Sequence, residues 1–285
     1  MHRGGHTARD ALLLFAVAAL APSLCLADEA GCKDTSGTYE TSYTCEGFVD
    51  ARDFGRHLDR GRIPRSSRGL SFILRDSRPR DFPVGWLEGV NATLLEFQNV
   101  TLASPESYDA VLSRLAGDAP ASSVERLVFS YDSTLPASWE TLHKLPRLKT
   151  LGLVKMSGLR LGRDFGLLPR TVRGVSVLHS SVESVEEGWL AELPDLEYVV
   201  IRDSRLAFFA RSMLPVPGLK LRSIDLDPSW LRPSAKDNRL HCDCKLAHLR
   251  RHSDRRLRAR CHSPDKLRGR SVQSLTDAEL TCPRL

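Results

Sequence analysis

From Val124 onward the apolar residues recur in the form L-x-x-L-x-L: Val124-Leu127-Phe129, Leu148-Leu151-Leu153, Val172-Val175-Val177, Leu196-Val199-Ile201 and Leu221-Ile224-Leu226. Their first positions follow one another at 24, 24, 24 and 25 residues, and most units close with a further apolar residue such as Val182, Leu206 or Leu231. Alternate residues of a short strand point to the same side, so each unit has one apolar face that it cannot bury alone and must stack on its neighbours. The pattern therefore predicts a solenoid with a parallel sheet along one side. Two looser units lie upstream, Phe72-Leu74 and Leu95-Phe97-Val100-Leu102, with an expanded segment from Pro105 to Ser123 after them, for about seven repeats in all. The opposite side of the repeats carries Trp86-Leu87, Trp139-Glu140-Thr141-Leu142 and Trp189-Leu190, the latter two followed by Leu145-Pro146 and Leu193-Pro194. These predict helical turns on the convex face. An aromatic residue recurring with the repeat fits a core position better than a cofactor contact.

The ends differ from the middle. His2, Arg3, His6 and Arg9 precede an apolar run from Ala11 to Leu20, which is followed by Pro22 and by Cys25-Leu26-Ala27 before Asp28-Glu29. This reads as a secretory signal peptide over 1–27, cleaved near Ala27. The rival reading, a membrane anchor, would need an apolar run of roughly 18 residues, and Pro22 and Ser23 break this one. With 41% hydrophobic and 27% charged residues, the 285-residue chain does not have the composition of a disordered tail, a collagen or a multi-span membrane protein. The rest of the chain is expected to be exported and soluble, with a cap over 28–68, repeats over 69–237 and a second cap over 238–285.

Of seven cysteines, cleavage would remove Cys25 and leave Cys32, Cys45, Cys242, Cys244, Cys261 and Cys282. An even number in an oxidising compartment predicts disulfides, and the cysteine-free stretch from Cys45 to Cys242 confines them to the two ends. A zinc reading of His241-Cys242-Asp243-Cys244 is the alternative, but C-x-C is poor spacing for a tetrahedral site.

With these features assembled, the chain resembles the leucine-rich-repeat family, whose units run L-x-x-L-x-L-x-x-N-x-L. The likeness covers roughly Gly69 to Leu231. It extends to the tail, where Asn238 to Cys244, Cys261-His262-Ser263-Pro264, Leu267 to Ser271 and Cys282 look like the family's extracellular C-terminal cap. The resemblance implies an α/β horseshoe solenoid with a concave parallel sheet and disulfide-bonded caps at both ends. It also implies the pairing of Cys242 with Cys261 and of Cys244 with Cys282. The N-terminal cap carries two cysteines where the family usually has four. Cys45-Glu46-Gly47 and Phe82-Pro83-Val84-Gly85-Trp86 are similar to arthropod secreted members, among them the non-catalytic subunit of the oplophorus luciferase. The family's Asn position is held here by Ser77, Val100, Asp132, Met156, Ser180, Ser204 and Ser229. Ser and Asp can meet part of the backbone demand of that turn; Val100 and Met156 cannot, so an irregular solenoid is expected.

Strand positions that leave the sheet toward solvent include Val128, Val154, Leu178, Tyr198 and Val200, with Thr150, Gly152, Gly174 and Ser176 between them. Small residues among exposed apolar ones predict a shallow trough about four strands wide, rimmed by Arg126, Tyr131, Lys155, His179, Arg202 and Asp203. This is the candidate partner-binding surface. The plainer alternative is that these residues follow strand propensity alone. Two sequons, Asn91-Ala92-Thr93 and Asn99-Val100-Thr101, flank the second strand, and glycans there would shield the N-terminal end of the sheet. Lys155, His179 and Asp203 share one repeat position with Ser176 nearby, which invites a hydrolase reading. An open sheet, however, supplies neither an oxyanion hole nor a walled site.

The formal net charge of +6 is unevenly placed: from Arg232 to the end there are 14 Lys or Arg against six Asp or Glu, and the first 231 residues hold 27 against 29. The densest run contains Arg250, Arg251, Arg255, Arg256, Arg258 and Arg260. It would attract sulfated glycans or other polyanions, or serve only as a solvated face. Nucleic acid is not expected, since no aromatic residues interleave the run. The sequence thus predicts a secreted repeat protein that binds an extracellular protein through its concave face, without a cofactor, a metal, a membrane span or catalysis of its own. The alternatives are a non-catalytic subunit of a secreted enzyme complex and a polyanion binder.

Overall fold

Stacked strands on the repeat period dominate the computed structural model, which describes residues 30–59, 61–64, 66–67, 69–115, 123–204, 211–216, 218–226 and 258–260. The strands are β1 (Gly31–Asp34), β2 (Ser42–Glu46), β3 (Leu70–Ser77), β4 (Ala92–Val100), β5 (Arg126–Ser130), β6 (Thr150–Val154), β7 (Leu159–Leu161), β8 (Gly174–Leu178), β9 (Val182–Val185), β10 (Tyr198–Arg202), β11 (Ser223–Leu226) and β12 (Arg258–Arg260). Ten of them form one sheet in the order β1-β2-β3-β4-β5-β6-β8-β10-β11-β12, while β7 and β9 form a separate parallel pair. Only β1 and β2 pair antiparallel; every later neighbour in the large sheet is parallel.

The apolar pattern sets the register. Phe72, Leu95, Leu127, Leu151, Val175, Val199 and Ile224 lie side by side across successive strands, and so do Leu74, Phe97, Phe129, Leu153, Val177, Ile201 and Leu226. All but the half-buried Leu226 are buried. The two looser upstream units therefore continue the same inward rows. A shift of one residue would turn each row outward, and at about 1.5–3 kcal/mol per large apolar side chain that loss holds the strands in place.

Across the core, Trp86, Trp139 and Trp189 are buried as expected, but only Trp139 opens a helix, the 3-10 segment Trp139–Lys144. Trp86 and Trp189 sit in hydrogen-bonded turns, through Glu88 N to Gly85 O (2.9 Å) and Trp189 N to Glu186 O (3.3 Å). Phe165 fills the gap between the second and third tryptophans, its ring centroid 4.7 Å from Trp139 and 5.7 Å from Trp189. The expanded segment contributes α2 (Ser107–Ser113), which buries Tyr108 edge-on against Phe97 and Phe129. Near the N-terminus, α1 (Ala51–His57) starts with a reciprocal cap between Asp50 and Asp53 and buries Phe54 against Phe48, Phe82 and Trp86. The Cys32–Cys45 disulfide joins β1 to β2, and β2 extends the parallel stack by pairing with β3.

At or just past the C-terminal ends of β3, β4, β5, β6, β8 and β10 the chain passes through the left-handed region, at Asp76, Asn99, Tyr131, Lys155, His179 and Asp203. Non-glycine residues there are strained, so neighbouring rungs must hold them. The amides of Tyr131, Lys155 and His179 donate to the carbonyls of Val154, Leu178 and Arg202 in the next repeat at 2.8–3.0 Å. A buried serine then accepts the amide hydrogen of the preceding repeat: Phe48 N to Ser77 Oγ (3.0 Å), Val100 N to Ser133 Oγ (2.9 Å), Met156 N to Ser180 Oγ (3.0 Å) and Ser180 N to Ser204 Oγ (3.1 Å). Val100 and Met156 can be apolar because the serine of the next repeat satisfies their backbone.

This corrects the assignment of Asp132 to the Asn position. The third repeat has one extra residue in its turn, with both Tyr131 and Asp132 at positive φ, so Ser133 enters the buried site. Asp132 stays exposed and accepts from Ser157 N at 2.5 Å. The expectations for Leu206, Ser229 and Leu231, the 1–27 signal peptide and Cys242, Cys244, Cys261 and Cys282 lie outside the described residues.

Ser133→Ala strands the amide of Val100 in the core. It is expected to lower unfolding free energy by about 1–3 kcal/mol, whereas Ser176→Ala on the open face should change little. Urea unfolding of both variants checks the contrast.

Candidate functional site

The face of the large sheet away from the core is built in rows by strand register. Its middle row runs Glu96, Val128, Gly152, Ser176, Val200 and Asp225; a second runs Leu94, Arg126, Thr150, Gly174, Tyr198 and Ser223; a third includes Ser130, Val154, Leu178 and Arg202. Val128, Val154, Leu178, Tyr198 and Val200 are half-buried and fall on four adjacent strands, so they form one contiguous apolar patch.

The patch is flatter than the trough expected from its small residues. Tyr198 lies directly over Gly174, where an added Cβ would come within 2.0 Å of the ring, and its hydroxyl is 2.7 Å from Thr150 Oγ1 two strands away. Val128 and Ser176 close over Gly152, at 3.2 and 3.3 Å from where a Cβ would be. Both glycines are thus buried under neighbouring side chains. The hollows are filled because an aromatic side chain on one strand gains contact by lying across a bare backbone on the next.

The rim residues come from the left-handed turns and strand ends. Lys155 folds back on Tyr131, its Nζ 2.6 Å from the phenol oxygen and 4.3 Å from the ring centroid. His179 Nδ1 is 3.3 Å from Asp203 Oδ2, both side chains 53% exposed. Arg202 pairs with Asp225, and Arg126 is exposed at the start of β5. Lys155 therefore turns away from His179, and among the described residues no hydrogen bond joins Ser176 to His179. The three residues that shared a repeat position form two surface pairs. Toward the N-terminal end the face becomes charged: Glu46 accepts from Lys33 Nζ at 2.8 Å and from Arg75. The Lys33 bond, followed by that of Arg75, holds the Glu46 carboxyl below its ordinary range.

Asn91 and Asn99 are both exposed, at opposite ends of β4. Asn99 Nδ2 donates to Asp76 Oδ1 at 2.6 Å, and Asn99 shares a shallow cleft with Tyr131 and Lys155. A glycan on Asn99 would therefore overhang the rim of the third repeat as well as the N-terminal end. Of the basic run, Arg250, Arg251, Arg255 and Arg256 lie outside the described residues, while Arg258 and Arg260 belong to β12, in register with Ser223 and Asp225 of β11. No group of His, Cys, Asp and Glu among the described residues could hold a metal ion, and the zinc reading of 241–244 lies outside them.

A stack of parallel strands with a period near 24 residues and a solvent-facing sheet defines a repeat solenoid, an α/β architecture. Residues 258–283 match the family described as leucine rich repeat C-terminal domain. The chain is 28% identical over 160 residues to leucine-rich repeat and fibronectin type-III domain-containing protein 4 of Rattus norvegicus, covering 56% of this chain and 21% of that protein. It is 28% identical over 170 residues to leucine-rich repeat and fibronectin type III domain-containing protein 1 of Homo sapiens, covering 59% and 18%. The chain thus spans about a fifth of the length of these curated relatives. Over somewhat more than half of its length the chain is thus similar to leucine-rich-repeat proteins. These matches support a leucine-rich-repeat likeness and do not confirm the narrower one to the arthropod luciferase subunit.

Gly174→Ala should cost about 1–2 kcal/mol, because the new Cβ expels Tyr198. In a Tyr198→Ala background the same change should be neutral or stabilising, as Ala ordinarily favours an ordered backbone over Gly; a double-mutant cycle by thermal unfolding reads the reversal. Since the Glu46 carboxyl is depressed in the folded state, its contribution is present above the unfolded value near 4.5 and is lost as pH falls through the lower folded value. Glu46→Gln should flatten the decline of melting temperature between neutral and acid pH.

Proposed function

We propose that this is a secreted interaction protein that recognises an extracellular protein partner through the concave, open face of its sheet and catalyses no reaction itself. The observation that carries the reading is the contiguous patch of Val128, Val154, Leu178, Tyr198 and Val200, bordered by Tyr131, Lys155, His179 and Arg202. An apolar centre with a polar, hydrogen-bonding rim is the usual anatomy of a protein interface. The leucine-rich-repeat relatives support an interaction role. Against catalysis stands the chemistry of the rim: His179 and Asp203 are half exposed on an open surface, and among the described residues no hydrogen-bond donors converge beside them to stabilise a developing charge.

Export is proposed from the N-terminal apolar segment, and the Cys32–Cys45 bridge supports an oxidising compartment. No helix among the described residues is long and apolar enough to cross a membrane. On this reading the chain divides into a signal peptide at 1–27, an N-terminal cap at 28–68, about seven repeats at 69–237 and a C-terminal cap at 238–285, the last closed by Cys242–Cys261 and Cys244–Cys282 bridges. Asn91 and Asn99 are the proposed glycosylation sites.

Val154→Glu combined with Leu178→Glu places two charges in the patch without touching the inward rows. The double variant is expected to be secreted and to melt like the wild type. It should lose at least about tenfold in capture of the protein partner recovered from the secreted fraction of the source tissue, since burying an unpaired charge in an interface costs well over 1.4 kcal/mol. Unchanged capture would remove the open face as the binding surface.

A further inference from the structure

A second charged row runs along the edge where the strands begin, away from the apolar patch. The residues immediately before β6, β8 and β11 are Lys149, Arg173 and Arg222, and those before β5 and β10 are Glu125 and Glu197. The carboxylates of this edge are already engaged. Lys149 Nζ is 2.7 Å from Glu125, Glu197 is shared by Arg173 and Arg222 at 3.5 Å each, and Lys220 Nζ is 2.5 Å from Asp195. Arg147 and Arg170, in the turns that precede β6 and β8, are exposed and have no carboxylate or hydrogen-bond partner among the described residues.

These groups converge. An open groove is lined by Arg147, Lys149, Arg170 and Arg173 together with Glu125 and Asp195. Thr150 and Gly174 are register partners, so Lys149 and Arg173, one residue earlier, stand on adjacent rungs whose backbones are about 4.8 Å apart. Their charges are met by Glu125 and Glu197 on either flank, so the positive surplus of the groove comes from Arg147 and Arg170, which an anion would complement. The groove is open rather than enclosed, which suits a chain bearing repeated anionic groups better than a single small ion. Free guanidinium forks bind a sulfate's oxygens with paired, charge-assisted hydrogen bonds. The Cys32–Cys45 disulfide argues for an oxidising compartment, and no aromatic residue lines the groove to stack bases, so nucleic acid does not fit.

We propose that this strand-start groove is a binding site for a sulfated polysaccharide, held chiefly by Arg147 and Arg170 with Lys149 and Arg173 beside them. The site shares no residue with the open-face patch or with the basic run at 250–260, so it stands or falls independently of the proposed partner surface.

The test uses the full secreted chain on immobilised heparin over a series of NaCl concentrations. Arg147→Glu with Arg170→Glu should raise the dissociation constant about tenfold or more at physiological salt and reduce the slope of log affinity against log salt by about two, with an unchanged melting temperature. If that variant fails to fold, Arg147→Ser with Arg170→Ser should shift affinity in the same direction by a smaller factor. Wild-type affinity and slope in a folded variant overturn the proposal. So does a loss of binding confined to Arg250→Glu with Arg251→Glu, which would assign heparin to the other basic run. Displacement by polyglutamate as effective as by heparin of equal charge overturns the choice of a sulfated ligand in favour of an acidic polypeptide.

Discussion

Everything in this solenoid depends on satisfying the backbone at the turn that ends each strand. There the chain leaves the sheet through a left-handed residue and dives into the core, carrying an amide that no strand partner can reach. Buried and unpaired, each such group would cost about 1–3 kcal/mol. The solution is intermolecular in spirit but internal to the chain: each repeat lends a serine hydroxyl or a carbonyl to the one before it. No repeat is complete by itself, which is why the apolar rows can be kept in register over so many strands.

The same interdependence leaves three surfaces free to diverge. The inward rows are confined to large apolar residues, but the open face, the turn rim and the strand-start edge are each set by lateral contacts between neighbouring side chains. On the face, Tyr198 over Gly174 and Val128 over Gly152 level the sheet into an apolar patch. On the rim, Lys155 stacks on Tyr131 and His179 meets Asp203. At the strand-start edge, carboxylates are neutralised pair by pair and two arginines remain. The apolar residues thus cluster at the middle of the open face, while charged pairs occupy its N-terminal end, its rim and the strand-start edge.

Much of this was legible in the residues. The L-x-x-L-x-L spacing identified the inward rows from Val124 onward, because a strand's two-residue alternation and a fixed repeat length leave few other ways to bury those side chains. The outward positions Val128, Val154, Leu178, Tyr198 and Val200 followed from the same alternation. The short helices were not legible: α1 and α2 have seven residues each, too few for a helical period to stand out, and Phe165 broke the tryptophan pattern while filling a tryptophan's place. Asp132 was misplaced because one inserted residue in a turn leaves the strand spacing untouched.

What the sequence determined by itself is the periodic part of the protein, the repeat length, the inward rows and the likeness to leucine-rich-repeat proteins, since these are local regularities written once per unit. What only the tertiary structure decided is how units meet side by side: which serine caps which amide, which glycine lies beneath which tyrosine, and which cations stand next to each other along an edge. Those contacts join residues about 24 positions apart through strand register, and one extra residue in a turn or one ring laid across a glycine changes them without altering the pattern of the chain.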